Sequence, residues 1–204
     1  SALSTSATIA NGQDLVLVVF SIGASQAVSD YSLAVSNLNC NPPASCSFSG
    51  ALSGTDASMT NRLVRPGTGG GVCGSTQAYP GSSAGGPFLY DVYTLRNTTG
   101  AAQCVTFNLT NADATSAIQF AVYNGTFDPN NLATNYMSDP YTSQTGPGTI
   151  STALTVPNGT TLKLVVFGVN ASEATSSYTL SETGLPCDCS GTPAPGNTIT
   201  CNNP

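Results

Sequence analysis

The side chains able to do chemistry in this chain are few and poorly matched to one another. The 204 residues include ten acids, four bases (Arg62, Arg65, Arg96 and Lys163), seven cysteines and no histidine. Gly81-Ser82-Ser83-Ala84-Gly85 has the spacing of a nucleophile elbow. That turn needs a strand before it, a helix after it and a base to take the serine proton, and there is no histidine to serve. The run Gly69-Gly70-Gly71-Val72-Cys73-Gly74 matches a dinucleotide fingerprint in its glycines alone. It neither follows a clear strand nor opens a helix, so it reads as a flexible loop. Glycoside hydrolysis would require two converging carboxyls, and nothing in the spacing of the acids selects a pair. The expectation is a non-enzymatic protein with no catalytic residue and no cofactor.

Metal ligation has two candidate sets. Asp128, Asn130, Asn131 and Asp139 supply the hard oxygens that calcium prefers. The same stretch also reads as a capped turn, with Asp128 capping and Pro129 opening it. Cys187-Asp188-Cys189 could begin a zinc site, but structural zinc wants two spaced pairs and the nearest further thiol is Cys201. Disulfides are the leading reading of the cysteines, and they imply an oxidising compartment. Pairing Cys40 with Cys46, Cys73 with Cys104 and Cys189 with Cys201 would close sensible loops, although spacing alone does not settle connectivity. Cys187 is then left over, as an intermolecular link or as a free, buried thiol.

The elements that would position these residues are strands. Segments rich in β-branched and aromatic residues and bounded by Gly, Pro, Asn and Ser occur at about Ala7 to Ala10, Leu15 to Ile22, Tyr31 to Ser36, Arg62 to Val64 and Leu89 to Leu95. Further ones follow at Cys104 to Leu109, Ile118 to Tyr123, Ile150 to Val156, Leu162 to Val169 and Tyr178 to Glu182. No segment sustains a helical period. The spacing predicts an all-β sandwich with Val105, Phe107 and Leu109 in its core. Linker-like stretches run from Asn41 to Ser58, Gly67 to Gly86 and Ser190 to Pro204.

Ser4 to Cys40 aligns without a gap on Ser151 to Cys187, at a constant offset of 147 positions and with roughly half of the pairs identical. Each copy carries an Asn-Gly (Asn11-Gly12, Asn158-Gly159) between two strands, which predicts a hairpin followed by a third strand from Tyr31 or Tyr178. A complete unit needs about Asp56 to Leu185, so the first copy is the last third of one. The expected layout is a partial repeat and linker over 1–55, a complete sandwich over 56–187 and a cysteine-containing tail over 188–204. A two- or three-stranded piece is not stable alone in water. The first copy must pack on its own chain, on a neighbouring repeat or on another subunit, through Leu15, Leu17, Val19, Tyr31 and Leu33.

Bulk properties narrow the classes further. Only 7% of residues are charged, against about a quarter in ordinary chains, and the net charge is −6. A basic phosphate-binding face is absent, which argues against nucleic acid. The longest apolar run, Leu15 to Phe20, is far shorter than the eighteen or so residues of a membrane span. No basic segment followed by an apolar stretch opens the chain, so an export signal would already have been removed. Sequons at Asn97, Asn108, Asn124, Asn158 and Asn170 would be glycan acceptors in a suitable pathway.

The run CGSTQAYPG, then GPFLYDVYTLRNTTGAAQCVTFNL, FAVYNGTFDPNNLATNYMSDP, LTVPNGTTLKLVVFGVN and SYTLSETGLPC resembles the modules repeated in large secreted bacterial surface proteins, related to the bacterial pre-peptidase C-terminal domain. The resemblance covers about Asp56 to Cys187. It implies a jelly-roll-like or immunoglobulin-like sandwich, an extracellular or cell-surface location and a non-catalytic role. Two functions fit. One is a subunit of a self-assembling filament, in which the orphan copy donates strands head-to-tail to a neighbour. The other is a binding or adhesion module for polysaccharide or matrix, with Tyr79, Tyr136 and Tyr141 as sugar platforms.

Overall fold

The computed structural model describes residues 45–186 and 198–202. The described strands all belong to one compact unit, Asn41–Pro204. The first copy of the repeat, with Leu15, Leu17, Val19, Tyr31 and Leu33, lies outside the described residues, as do Cys40, Cys187 and Cys189.

The described residues fold as two packed antiparallel sheets with no helix among them. In order, the strands are β1 (Ser45–Leu52), β2 (Ala57–Leu63), β3 (Ser82–Arg96), β4 (Gln103–Asn111), β5 (Ala117–Asn124) and β6 (Tyr136–Ser138). They continue as β7 (Gln144–Thr145), β8 (Gly148–Val156), β9 (Thr161–Gly168), β10 (Thr175–Thr183) and β11 (Thr198–Asn202). Sheet A has the order β11-β1-β10-β4-β8; sheet B has the order β2-β3-β9-β5-β6, with β7 also on β5. The pairs β1 with β10, β3 with β9, β4 with β8 and β5 with β7 are nested one inside the next. The chain is therefore an outgoing half and a returning half wound together as a ribbon, which makes the sandwich a jelly roll.

Two boundaries expected from sequence are corrected. Ser45–Leu52, expected within a linker of the partial-repeat region, is an interior strand between β10 and β11. Its Cys46, Phe48 and Leu52 point into the core at alternate positions. The intervening serines hid this period-two pattern. Thr198–Asn202, placed in a tail, is the edge strand of sheet A. The hairpin reading of Asn158-Gly159 is also corrected. Thr160 N–H donates to Pro157 O (3.2 Å) and Gly159 takes φ 78°, so the tight turn exists. It carries the chain from β8 in sheet A to β9 in sheet B, and those strands do not pair.

The inner core lies between the sheets. Val105, Phe107 and Leu109 of β4 face Ile118, Phe120 and Val122 of β5 together with Leu162, Leu164 and Val166 of β9, all effectively inaccessible. A second apolar layer covers the outer face of sheet B, built from Phe88, Ala121, Tyr123, Val165 and Phe167 with Tyr136 of β6 and, from the loops, Leu132, Tyr79 and Phe127. This explains why β5 is buried at both parities and why LVVF in β9 is apolar without interruption.

Asn97 joins the β3–β4 and β8–β9 turns at one end of the sandwich. Its buried side-chain amide donates to Ala101 O and Val156 O, both at 2.8 Å, and its carbonyl accepts from Thr99 N–H at 3.0 Å. Its backbone N–H donates to Thr160 O and its carbonyl accepts from Gly159 N–H. This sequon is a structural bracket with no room for a glycan. Replacing Asn97 by Ala leaves buried carbonyls unpaired, so the expected cost is about 2–3 kcal/mol. Urea unfolding of the described unit should show this as a lower midpoint with an unchanged slope.

Candidate functional site

Among the described residues, the three buried acids, Asp91, Glu182 and Asp139, each anchor a polar cluster. The first is inside the core. Asp91 and Tyr93 lie on the inward parity of β3, between Leu89 and Leu95 on the same face. Tyr178 of β10 donates its hydroxyl to the Asp91 carboxylate, and its oxygen lies 2.7 Å from the Tyr93 hydroxyl. Buried phenols need partners, and this triad supplies them while tying sheet B to sheet A. The second is at one end of sheet A. Glu182, fully buried, accepts from Cys46 N–H (3.0 Å) and Leu185 N–H (3.2 Å). Desolvation pushes its pKa up to about 7 against the lowering effect of those two bonds.

The third is a hub on the outer side of sheet B. Asp139, also fully buried, accepts from Tyr136 OH (2.8 Å) and from Tyr141 N–H. Gln77 reads the neighbouring backbone with both ends of its amide. Its Oε1 accepts from Asp139 N–H (2.9 Å) and Ser138 Oγ (2.6 Å), and its Nε2 donates to Asp139 O (3.0 Å). Ser138 Oγ is 2.6 Å from Thr152 Oγ1, which accepts from Gly71 N–H at 2.7 Å. Tyr141, at φ 56°, donates its hydroxyl to Ala78 O. Gln119 lies beside Asp139 and lowers its pKa, yet neither of its buried amide atoms completes a well-formed hydrogen bond. Burial is the larger influence, and the Asp139 pKa is pushed up to about 6.

The hub fastens the glycine-rich loop to β8. Ala153 N–H donates to Gly71 O, and Gly74 N–H donates to Thr155 Oγ1. A Cβ on Gly70 would come within 2.5 Å of Ser151 O, and one on Gly71 within 2.5 Å of Ser138 Oγ. The stretch expected to be a flexible loop is thus docked along the β8 edge, and its glycines permit the close approach. The expected Cys73–Cys104 disulfide pins it there, with Cα atoms 5.5 Å apart. Cys46 is disulfide-bonded as well, and its partner sulfur is not among the described side chains.

The other sequence candidates separate. Asp128 is exposed and caps a turn, its carboxylate accepting from Asn130 N–H (2.9 Å); Asn130 and Asn131 are exposed, whereas Asp139 is buried in the hub. No group of three or more His, Cys, Asp or Glu among the described residues is placed to hold a metal ion. Ser83 sits in β3, paired with Arg62, rather than at a strand-to-helix turn. The tyrosines taken for exposed sugar platforms are corrected: Tyr79, Tyr136 and Tyr141 are only half-exposed. Tyr79 and Tyr136 meet edge-to-face at 5.5 Å, and Tyr123 meets Tyr136 at 6.2 Å. The rings of Tyr79 and Tyr136 are spent covering sheet B. Among the described residues no helix is long and apolar enough to cross a membrane.

What the arrangement does chemically is hold loops and sheets together. Sequence reading missed the triad and Glu182 because acids and tyrosines at inward positions break an apolar alternation. The available signal was parity, since Asp91, Tyr93 and Glu182 share the phase of neighbouring core residues.

No family model and no curated protein matches the chain. Among solved structures, an Arthrobacter globiformis T6 isomalto-dextranase complexed with panose is similar at 17% identity and a TM-score of 0.23. The likeness covers 53% of this chain and 17% of that one.

Asp139 and Glu182 bind their protons more tightly folded than unfolded, where the usual values are 3.8 and 4.5. Between about pH 4 and pH 7 the native state therefore holds more protons than the unfolded state, and stability falls as pH rises through that window. Each carboxyl contributes up to about 3 kcal/mol to this fall. Thermal melts should show a higher midpoint at pH 4.5 than at pH 7.5, with the difference reduced by either Asp139→Asn or Glu182→Gln and further by both.

Proposed function

We propose that this chain is a non-enzymatic structural unit of an extracellular assembly of like β-sandwiches, in which Ser4–Cys40 is a returning half-ribbon completed by the outgoing half of another body. One observation carries the reading. In the described copy of the repeat, no two of β8, β9 and β10 pair with each other: β8 pairs with β4, β9 with β3 and β5, and β10 with β1 and β4. A sequence that repeats these strands encodes no ladder of its own.

The repeat keeps the positions that matter for such packing. Leu15, Leu17, Val19, Tyr31 and Leu33 correspond to Leu162, Leu164, Val166, Tyr178 and Leu180, all core residues. Tyr31 thereby inherits the need for phenol partners like Asp91 and Tyr93, and the sequence Asp-Val-Tyr occurs once in the chain. Identical chains hold one outgoing half and two returning halves each, so exchange among them alone leaves one returning half over for every body. The completing strands therefore belong to a body that lacks its own returning half, in a neighbouring subunit or in another stretch of a longer chain. Low charge and a disulfide suit an extracellular setting. Aromatic rings packed on one another favour this structural role over sugar binding.

The test is complementation. A body of residues 41–147 should become soluble and form a one-to-one complex when co-expressed with the intact chain. Leu17→Asp in the intact chain should abolish that complex, as a buried charge would. Residues 148–204 supplied in trans serve as the positive control. A body rescued by that control but never by the intact chain would sink the proposal.

A further inference from the structure

The outer face of sheet A is a lattice of uncharged polar side chains. The outward positions are Ser45, Ser47 and Ser49 on β1, Thr179, Ser181 and Thr183 on β10, Thr106, Asn108 and Thr110 on β4, and Thr149, Ser151 and Ala153 on β8. The register lines them up in rows: Ser45, Thr183, Thr106, Ala153; Ser47, Ser181, Asn108, Ser151; Ser49, Thr179, Thr110, Thr149. The β11 backbone pairs Asn202, Thr200 and Thr198 in register with Ser45, Ser47 and Ser49. Neighbouring hydroxyls already meet within the face, Thr110 with Thr149 at 2.9 Å and Ser49 with Thr179 at 3.4 Å. At the β8 margin runs the docked loop, which carries Val72, 61% exposed.

No acid or base occupies any of these positions, although the chain carries a net charge of −6. Solvated sheet faces ordinarily carry interspersed charges that keep copies apart, and depletion of charge is the compositional mark of an interface centre. A hydroxyl both donates and accepts, so a face made of them is complementary to itself without burying an ion. For a chain whose charges are mostly negative, two copies can meet on this face without setting like charges against each other.

We infer that the outer face of sheet A is a lateral contact with the same face of a second copy of this chain. Four strands about 4.8 Å apart and three rows about 6.8 Å apart give a patch of roughly 400 Å² per copy, near 800 Å² in total. That lies below the size of a stable dimer interface. A single contact is weak, and it gains strength by repetition where many copies are already held in an array. This contact goes beyond the joint made by Ser4–Cys40 and uses a different surface, so either can fail alone.

Charge-swap mixing on the full chain tests it. Sedimentation equilibrium up to about 1 mM protein should show reversible self-association of the unmodified chain, little affected by salt. Asn108→Asp with Ser181→Asp, and separately Asn108→Lys with Ser181→Lys, should each weaken association about tenfold or more, because like charges then face each other. An equimolar mixture of the two variants should restore it. Ser181 and Asn108 are directly opposite each other, so each variant should melt somewhat lower than the unmodified chain but stay fully folded at the assay temperature, which separates lost contact from lost fold. The inference is overturned by an unmodified chain that stays monomeric throughout. Association unchanged in the variants, not restored by mixing, or abolished by Leu17→Asp alone would overturn it equally, as would a glycan on Asn108 in the secreted protein.

Discussion

The structure depends on antiparallel pairing between two halves of the chain that are distant in sequence. β1 pairs with β10, β3 with β9 and β4 with β8, so most ladder hydrogen bonds join residues separated by tens of positions or more. Neither half can satisfy its backbone donors and acceptors by itself. Closing such long loops costs entropy before any contact compensates for it, and the core recovers that cost only when both sheets have come together. Much else follows from this arrangement. The Asn158-Gly159 turn must pass between sheets, Asn97 must lace two turns of opposite halves, and Tyr178 must reach across the core to Asp91.

Sheet B imposes a second requirement, because both its faces are apolar. Its outer face is covered by loops rather than by another sheet, and loops carry many backbone groups that need partners. Gln77, Ser138, Asp139 and Thr152 provide them. Burying Asp139 and Glu182 for such structural purposes raises their proton affinity, so the same groups that specify the loop path weaken the fold as the medium becomes less acidic. Sheet A has the opposite character. Its outer face is polar without charge, and it differs from sheet B in what it can meet.

Much of the architecture was legible where side-chain chemistry repeats with a short period. The alternation of Cys104 to Leu109 identified β4 and its inward face, and the turn residues around Ile118 to Tyr123 and Leu162 to Val169 marked two further strands. Cys73 and Cys104 stood out as a sensible pair and are bonded. Ser45–Leu52 was not legible as a strand, because serines at its outward positions and prolines just before it look like linker. The polar hub was not legible either. Asp139 read as a metal ligand and Tyr79 and Tyr136 as surface platforms, since residue type does not reveal that a loop some sixty positions away folds over them.

The sequence by itself determined the class: an all-β sandwich with few charges and cysteines placed for disulfides, containing a repeat that duplicates core-facing positions but only part of a unit. Local periodicity and composition suffice for that, because side-chain alternation is a property of neighbouring residues. Tertiary structure alone decided which strand pairs with which. The Asn-Gly turn is compatible with a hairpin or with a passage between sheets, and the choice is made by the partners that β4 and β3 offer to β8 and β9. Pairing among the described strands is a collective outcome of core closure, and it is what makes β8, β9 and β10 half of a ribbon rather than a hairpin and its neighbour.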